Sequence, residues 1–139
     1  MADRERDLQL LRDAYADWGR GDFSRPYMWD PKVEFVVAGV ESRTYTGPEG
    51  VREGWFDFLS AWKDFRVEGV EFIPAAREDL YVVLCHLSGR GQESDLPIDA
   101  ETANTVVVRN GKIVRFELFW DRQEALEAAG VAGDPPTRR

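Results

Sequence analysis

Between Asn104 and Trp120 the chain reads NTVVVRNGKIVRFELFW, two β-rich apolar runs separated by Arg109-Asn110-Gly111-Lys112. Asn and Gly enter the left-handed backbone region at the lowest cost, and the tight two-residue reversal of a hairpin uses that region at both central positions. An Asn-Gly pair between such runs therefore predicts a β-hairpin. The next stretch, DRQEALEAAGV, predicts a closing helix. Asp121 stands at its cap with Glu124 three residues on, a variant of the capping box. A pocket in this chain is expected to be floored by the hairpin.

Which side chains reach that floor depends on the register of the turn, because slipping a strand by one residue exchanges its faces. A two-residue Asn110-Gly111 turn pairs Arg109 with Lys112 and sets Asn104 opposite Glu117. A three-residue Arg109-Asn110-Gly111 loop with a Gly bulge pairs Val108 with Lys112 instead. Asn104 then faces Phe116 and shares a side with Val106, Val114, Leu118 and Trp120. The bulged register makes the better apolar wall and leaves Arg115 and Glu117 outside or at an interface. It is the one expected here.

The rest of the chain supplies what such a hairpin needs to pack against. Leu8, Leu11, Tyr15 and Trp18 recur at helical spacing, which predicts an amphipathic helix over residues 3–19 ended by Gly19 and Gly21. A short helix is expected over Phe23 to Met28. VEFVVA at 33–38 reads as a strand, and ESRTYT at 41–46 as a further extended piece. Gly47-Pro48-Glu49 opens a third helix, whose Val51, Trp55, Phe58, Leu59 and Trp62 form one buried stripe. From Phe65 onward the chain reads as β. Phe65 to Pro74 alternates, with Val67, Gly69, Glu71 and Ile73 on one face and Arg66, Glu68, Val70 and Phe72 on the other. The run LYVVLCHL within 79–90 implies burial on both faces, one against the helices and the other against a partner subunit. Helices followed by successive antiparallel strands predict an α+β fold with the helices on one face of a curved sheet. No repeat or linker interrupts 1–132, which is read as one domain, and 133–139 as a disordered tail.

Composition excludes several classes of partner. The formal charge is −8, from 18 Lys and Arg against 26 Asp and Glu. An acidic domain repels nucleic-acid phosphates and anionic lipid. No apolar run is long enough to span a bilayer, so a soluble cytoplasmic protein is expected. Cys85 is the single cysteine, which excludes an internal disulfide, and its apolar neighbours imply a buried inert thiol. His86 is the single histidine, and beyond the adjacent Cys85 the chain has no other His or Cys, so neither a metal nor a cofactor is expected. Aromatic residues make up 12% of the chain, enough to build a core and to line an apolar cavity.

The order of these elements, with LRDAYADWGRGDF, TGPEGVREGW, RVEGVEFI and VVVRNGKIVRFELFWDRQEALEAAGV, resembles the nuclear transport factor 2-like superfamily and, within it, the SnoaL-like domain proteins. The resemblance covers nearly the whole chain. It implies a cone-shaped α+β barrel, three N-terminal helices on a strongly curved, mostly antiparallel sheet and a short C-terminal helix. It also implies a hydrophobic pocket and a homodimer formed through the sheet. Members include ketosteroid isomerases, limonene epoxide hydrolases, polyketide cyclases, dehydratases and pure binding modules, so the fold does not choose the function. The isomerase branch uses a Tyr on the first helix, an Asp base on the first strand and a protonated Asp near the last hairpin. Counting back from Gly21-Asp22 sets Ala14 at the Tyr position, with Tyr15 one residue off. Phe35 stands at the base position and Asn104 near the third. A Phe cannot abstract a proton. The epoxide-hydrolase set is matched only by Arg115 and Glu117.

Two functions follow as expectations. The first is a small-molecule-binding protein with a hydrophobic pocket lined by Trp18, Phe35, Trp55, Phe58, Trp62, Phe116 and Trp120. The second is a cofactor-independent enzyme of isomerase, cyclase, dehydratase or hydrolase type. It would act on a small hydrophobic carbonyl or polyketide-like compound, with His86 or a pocket carboxylate moving a proton and Asn104 or Tyr15 steadying an oxyanion.

Overall fold

The computed structural model describes residues 2–24, 28–37 and 43–131, without the side chains of residues 2, 3 and 58. The helix expected over Phe23 to Met28 falls largely outside the described residues, and the tail from Gly133 wholly so. The elements are α1 (Ala2–Gly19), β1 (Trp29–Val37), β2 (Arg43–Thr46), α2 (Gly47–Ala61), β3 (Trp62–Pro74), β4 (Leu80–Gly91), β5 (Pro97–Arg109), β6 (Lys112–Phe119) and α3 (Arg122–Ala128). The six strands form one sheet in the order β2-β1-β6-β5-β4-β3. β1 and β6 are parallel and every other pair is antiparallel. The sheet is curled but not closed, since β2 and β3 remain edges.

α1 and α2 fill the concave face. Leu11, Ala14, Tyr15 and Trp18 of α1 are all buried, the stripe that their spacing implies. Gly47 begins α2 at φ 77°, a backbone region that an L side chain rarely adopts. Gly54 lies where α2 crosses β1. A Cβ there would come within 2.4 Å of the Phe35 ring, so the missing side chain is what lets the helix lie against that ring.

The final hairpin follows neither register in full: the expected three-residue loop pairing Val108 with Lys112 is not formed, and a bulge further along β6 shifts the two-residue register as well. The turn has two residues, with Asn110 at φ 52° and Gly111 at φ 75°, and Arg109 pairs with Lys112. A bulge then falls at Val114: Val108 pairs with Ile113, but Val107 pairs with Arg115. Asn104 consequently stands opposite Leu118, and Val106 opposite Phe116. Ile113 and Phe116 are three residues apart and both belong to the interior. Only an extra residue between them lets both point inward. β3 is bulged in the same way between Gly69 and Glu71. The bulge overturns the strict alternation expected over 65–74, because Phe72 turns in to pack against the buried cluster that holds Val67.

The convex face is partly covered by the chain itself. Ala125, Leu126 and Ala129 pack with Ala75, Val82, Leu84, Ala103 and Phe119 in a second buried cluster. The outer face of LYVVLCHL is thus met as far as Leu84 by the C-terminal helix, where a partner subunit had been expected. Asp121 caps α3 by accepting hydrogen bonds from the backbone N–H of Gln123 at 2.7 Å and of Glu124 at 3.4 Å. Arg122 donates to the backbone carbonyls of Cys85 at 2.9 Å and Thr102 at 3.2 Å, tying the first turn of α3 to two strands.

Gly54→Ala separates helix propensity from packing. In an open helix the change stabilises by roughly 0.5–1 kcal/mol. Here overpacking against Phe35 should outweigh that and destabilise by about 1–3 kcal/mol in urea unfolding.

Candidate functional site

A polar cluster inside the cone joins three elements. Asn104 of β5 donates through Nδ2 to the Tyr15 hydroxyl of α1 at 2.6 Å and lies 3.4 Å from Cys85 Sγ of β4. Asn104 is 1% exposed and Tyr15 3%, so the cluster is sealed from solvent. Counting along the sequence favoured Ala14 for the helix position facing Asn104. It is Tyr15 whose hydroxyl arrives there, while Ala14 packs as a small core residue. Burial, and then the nearby Cys85, raise the Tyr15 phenol well above its ordinary value. Burial likewise pushes the Cys85 thiol up to about 12. Both groups are neutral hydrogen-bonding groups at physiological pH.

Rings fill the interior around this cluster. Trp18 packs edge-on against Tyr15 at 4.6 Å and against Phe116 at 5.5 Å. Phe35 lies 5.3 Å from Phe116 and 5.2 Å from Trp55. Trp18, Phe35, Trp55 and Phe116, four of the seven residues expected to bind a ligand, are buried together. Trp62 is half-buried beside them. The side chain of Phe58 lies outside the described residues. Trp120 lies past the end of β6 and is 42% exposed, so it does not share the floor with Asn104 and Phe116 as expected.

Several concavities of ligand size open on the described residues: one of about 550 Å³ beside Tyr15 and Phe72, one of about 630 Å³ between α1 and the final hairpin, and one at the mouth of the cone. Val37, Arg43, Tyr45, Glu53, Asp57, Ala61 and Trp62 line a groove of about 450 Å³. Its polar centre is the Tyr45 hydroxyl, which donates to Asp57 Oδ2 at 2.8 Å. Burial and that carboxylate raise the Tyr45 phenol above its ordinary value. The Arg43 guanidinium lies over the Tyr45 ring, 5.3 Å from its centre. Tyr45 continues inward to Phe35 at 5.7 Å, so the groove stands directly on the buried rings. Tyr45, one of the aromatic residues, and the acids Asp57 and Glu53 were not among the residues expected to bind a ligand. The i, i+4 spacing of Glu53 and Asp57 on one helix face was the available signal, but nothing local pointed that face at β2.

His86 does not join Tyr15 and Asn104. It lies on the opposite face of β4, in line with Val82 and Leu84 and beyond the cover of α3. Its Nε2 pairs with Asp99, and Nδ1 lies 3.6 Å from Glu68. The bond to Asp99 raises the imidazole above its ordinary 6.5, with Glu68 adding to the effect. A histidine so held contributes stability that is complete below about pH 6.5 and is lost as pH rises through its folded value. Elsewhere on the convex face, Arg115 bridges Glu34 at 2.6 Å and Glu117 at 3.2 Å. Among the described residues no group of three or more His, Cys, Asp or Glu is placed to hold a metal ion, and no helix is long and apolar enough to cross a membrane.

Two measurements check this assignment. Tyr15→Phe should cost about 1–3 kcal/mol, because it strands the buried Asn104 amide, and adding Asn104→Leu should return part of that loss. A purely additive pair would contradict the bond. Cys85 should resist thiol reagents at pH 8 until the protein unfolds. Its folded state keeps a proton that the unfolded thiol sheds, so stability should fall as pH rises from about 9.

Solved structures share this fold at low identity. A putative isomerase from Bacillus subtilis is 20% identical, covering 92% of this chain and 95% of its own, with a TM-score of 0.70. A putative SnoaL-like polyketide cyclase from Jannaschia sp. CCS1 is 12% identical over 94% of each chain, with a TM-score of 0.71. A hypothetical protein with a ketosteroid isomerase-like fold from Catenulispora acidiphila DSM 44928, in complex with trimethylamine, is 13% identical, covers 91% and 93%, and scores 0.66. No curated protein matches the chain significantly. The SnoaL-like domain model matches residues 11–116, from the buried stripe of α1 to Phe116 at the cone's floor, and the chain belongs to the SnoaL-like domain family.

Proposed function

We propose that this chain binds a compact hydrophobic small molecule at the mouth of its cone and does not turn it over. One observation carries the reading: an apolar wall of Val37, Tyr45 and Trp62 meets an oriented Tyr45–Asp57 hydrogen bond in a groove of about 450 Å³. That volume lies within the roughly 300–1,000 Å³ of small-molecule sites, which pair apolar walls with a few fixed polar groups. Phe35 stands where the isomerase resemblance expects a base, and it is wholly buried among rings. That residue removes the base of the isomerase-type reaction, which favours binding without that chemistry.

A second reading, a cofactor-independent enzyme acting on a carbonyl compound, is favoured by the Tyr15–Asn104 bond. A hydroxyl held by an amide in apolar surroundings is the type of donor that steadies an oxyanion. It requires a ligand to displace buried rings and a base that faces it.

The protein is also proposed to be a cytoplasmic homodimer that pairs through its convex sheet face. Outside the cover of α3 that face carries the Glu34–Arg115–Glu117 pairs around Val36 and Val107 and, at its other end, the His86–Asp99 pair. These offer self-complementary charge around a small apolar centre.

Isothermal titration with 2-naphthol and 2-acetylnaphthalene tests the first reading. Binding should weaken about tenfold in Trp62→Ala and a few-fold in Tyr45→Phe, the latter from about 1 kcal/mol of lost hydrogen bonding. Affinity for neither compound, or affinity indifferent to Trp62→Ala, would overturn it. Deuterium exchange at the ketone's methyl group that is lost in Tyr15→Phe would favour the enzyme instead. Light scattering should give twice the monomer mass.

A further inference from the structure

Phe35 separates the open groove from the rest of the cone. It lies two positions before Val37 on β1, so both side chains point inward, and Val37 lines the groove. Its ring contacts Tyr45 of the groove at 5.7 Å on one side and Phe116 at 5.3 Å on the other. Trp55 closes a third side at 5.2 Å. Gly54 closes the fourth, where a Cβ would lie 2.4 Å from Phe35 Cε2 and 3.3 Å from Tyr45 Cδ1. The ring is therefore held from four directions and has no empty rotamer to swing into. Below it, Phe116, Trp55 and Trp18 continue as one apolar column, with centres 6.1 Å apart for Trp55 and Phe116 and 5.2 Å for Trp55 and Trp18.

We infer that Phe35 is the end wall of the binding groove and sets how long a ligand the protein accepts. The natural ligand is then a one- or two-ring compound that stops at Tyr45 and does not enter the column. Removing the Phe35 ring extends the groove by one ring, toward Phe116 and Trp55. This inference rests on the mouth-groove reading above. It adds a specificity determinant to that reading, since a rigid wall discriminates by length where an apolar surface alone does not. The packing argument also gives the sign for the variant. A cavity lined by Phe116, Trp55 and Tyr45 stays dry and accepts an apolar ring, as engineered apolar cavities do.

A length series tests it: phenol, 2-naphthol and 2-hydroxyanthracene, titrated into wild-type protein, Phe35→Leu and Phe35→Ala. Wild type should bind the two-ring compound best and the three-ring compound at least tenfold more weakly. Phe35→Ala should reverse that order, with Phe35→Leu in between. Phe35→Leu keeps most of the volume and guards against the larger truncation failing to fold. A wild-type preference for length that survives unchanged in a folded Phe35 variant would overturn the end-wall role while leaving the mouth groove standing. Wild type that binds none of the series would overturn both. Benzene that raises the melting temperature of Phe35→Ala but not of wild type would add support, because it reads the new cavity directly. Benzene that raises both equally would count against it.

Discussion

Trp18 holds the centre of the molecule. Its indole lies between 4.6 and 6.4 Å from the rings of Tyr15, Trp55, Phe116, Trp29 and Phe23. A curled sheet leaves a concave volume that two helices cannot fill with aliphatic side chains, and this chain fills it with rings from α1, α2, β1 and β6. Edge-to-face pairs add about 0.5–1.5 kcal/mol each beyond the area they bury. The same packing orients Tyr15 toward Asn104 and supports Phe35 against α2. Polar and ligand-facing groups therefore stand where the aromatic core leaves room for them. One such pair is sealed inside, and the other lies at the rim.

That arrangement separates two sets of polar groups. The buried pair has hydrogen-bonding chemistry but no opening. The rim has an opening, with Tyr45 fixed by Asp57, but it stands above a wall of rings. A carboxylate in place of Phe35 would have connected them; a phenyl ring divides them. The outer face follows a different logic. It is half covered by α3, and the rest is laced with paired charges on a chain whose net charge is −8.

Much of the fold was legible along the chain because it is written in local periods. The Asn-Gly turn, the Asp121 cap and the α1 stripe all appear where their spacing put them, since each depends on contacts within a few residues. The misses share one cause. The bulges at Val114 and Val70 are invisible to strict alternation, yet they decide whether Phe116 and Phe72 face in or out. What requires them is tertiary: both interior neighbours must be buried at once. Tyr15 stands one residue from the position that counting assigned to the isomerase Tyr, and its ring is set by Trp18 and by the close approach of Gly69 on β3. The groove was the least legible part. Tyr45, Glu53 and Asp57 come from a four-residue strand and a helix whose relation is fixed by Gly54 against Phe35, a contact between residues far apart in sequence.

Side-chain nuclear magnetic resonance during a titration with 2-naphthol tests the division between rim and interior most directly. A ligand at the mouth should shift the Trp62 indole N–H and the Val37 methyl signals, with the Trp18 indole and the Asn104 side-chain amide unmoved. Shifts at Trp18 and Asn104 without a response at Trp62 would place the ligand in the interior and contradict a groove closed by Phe35.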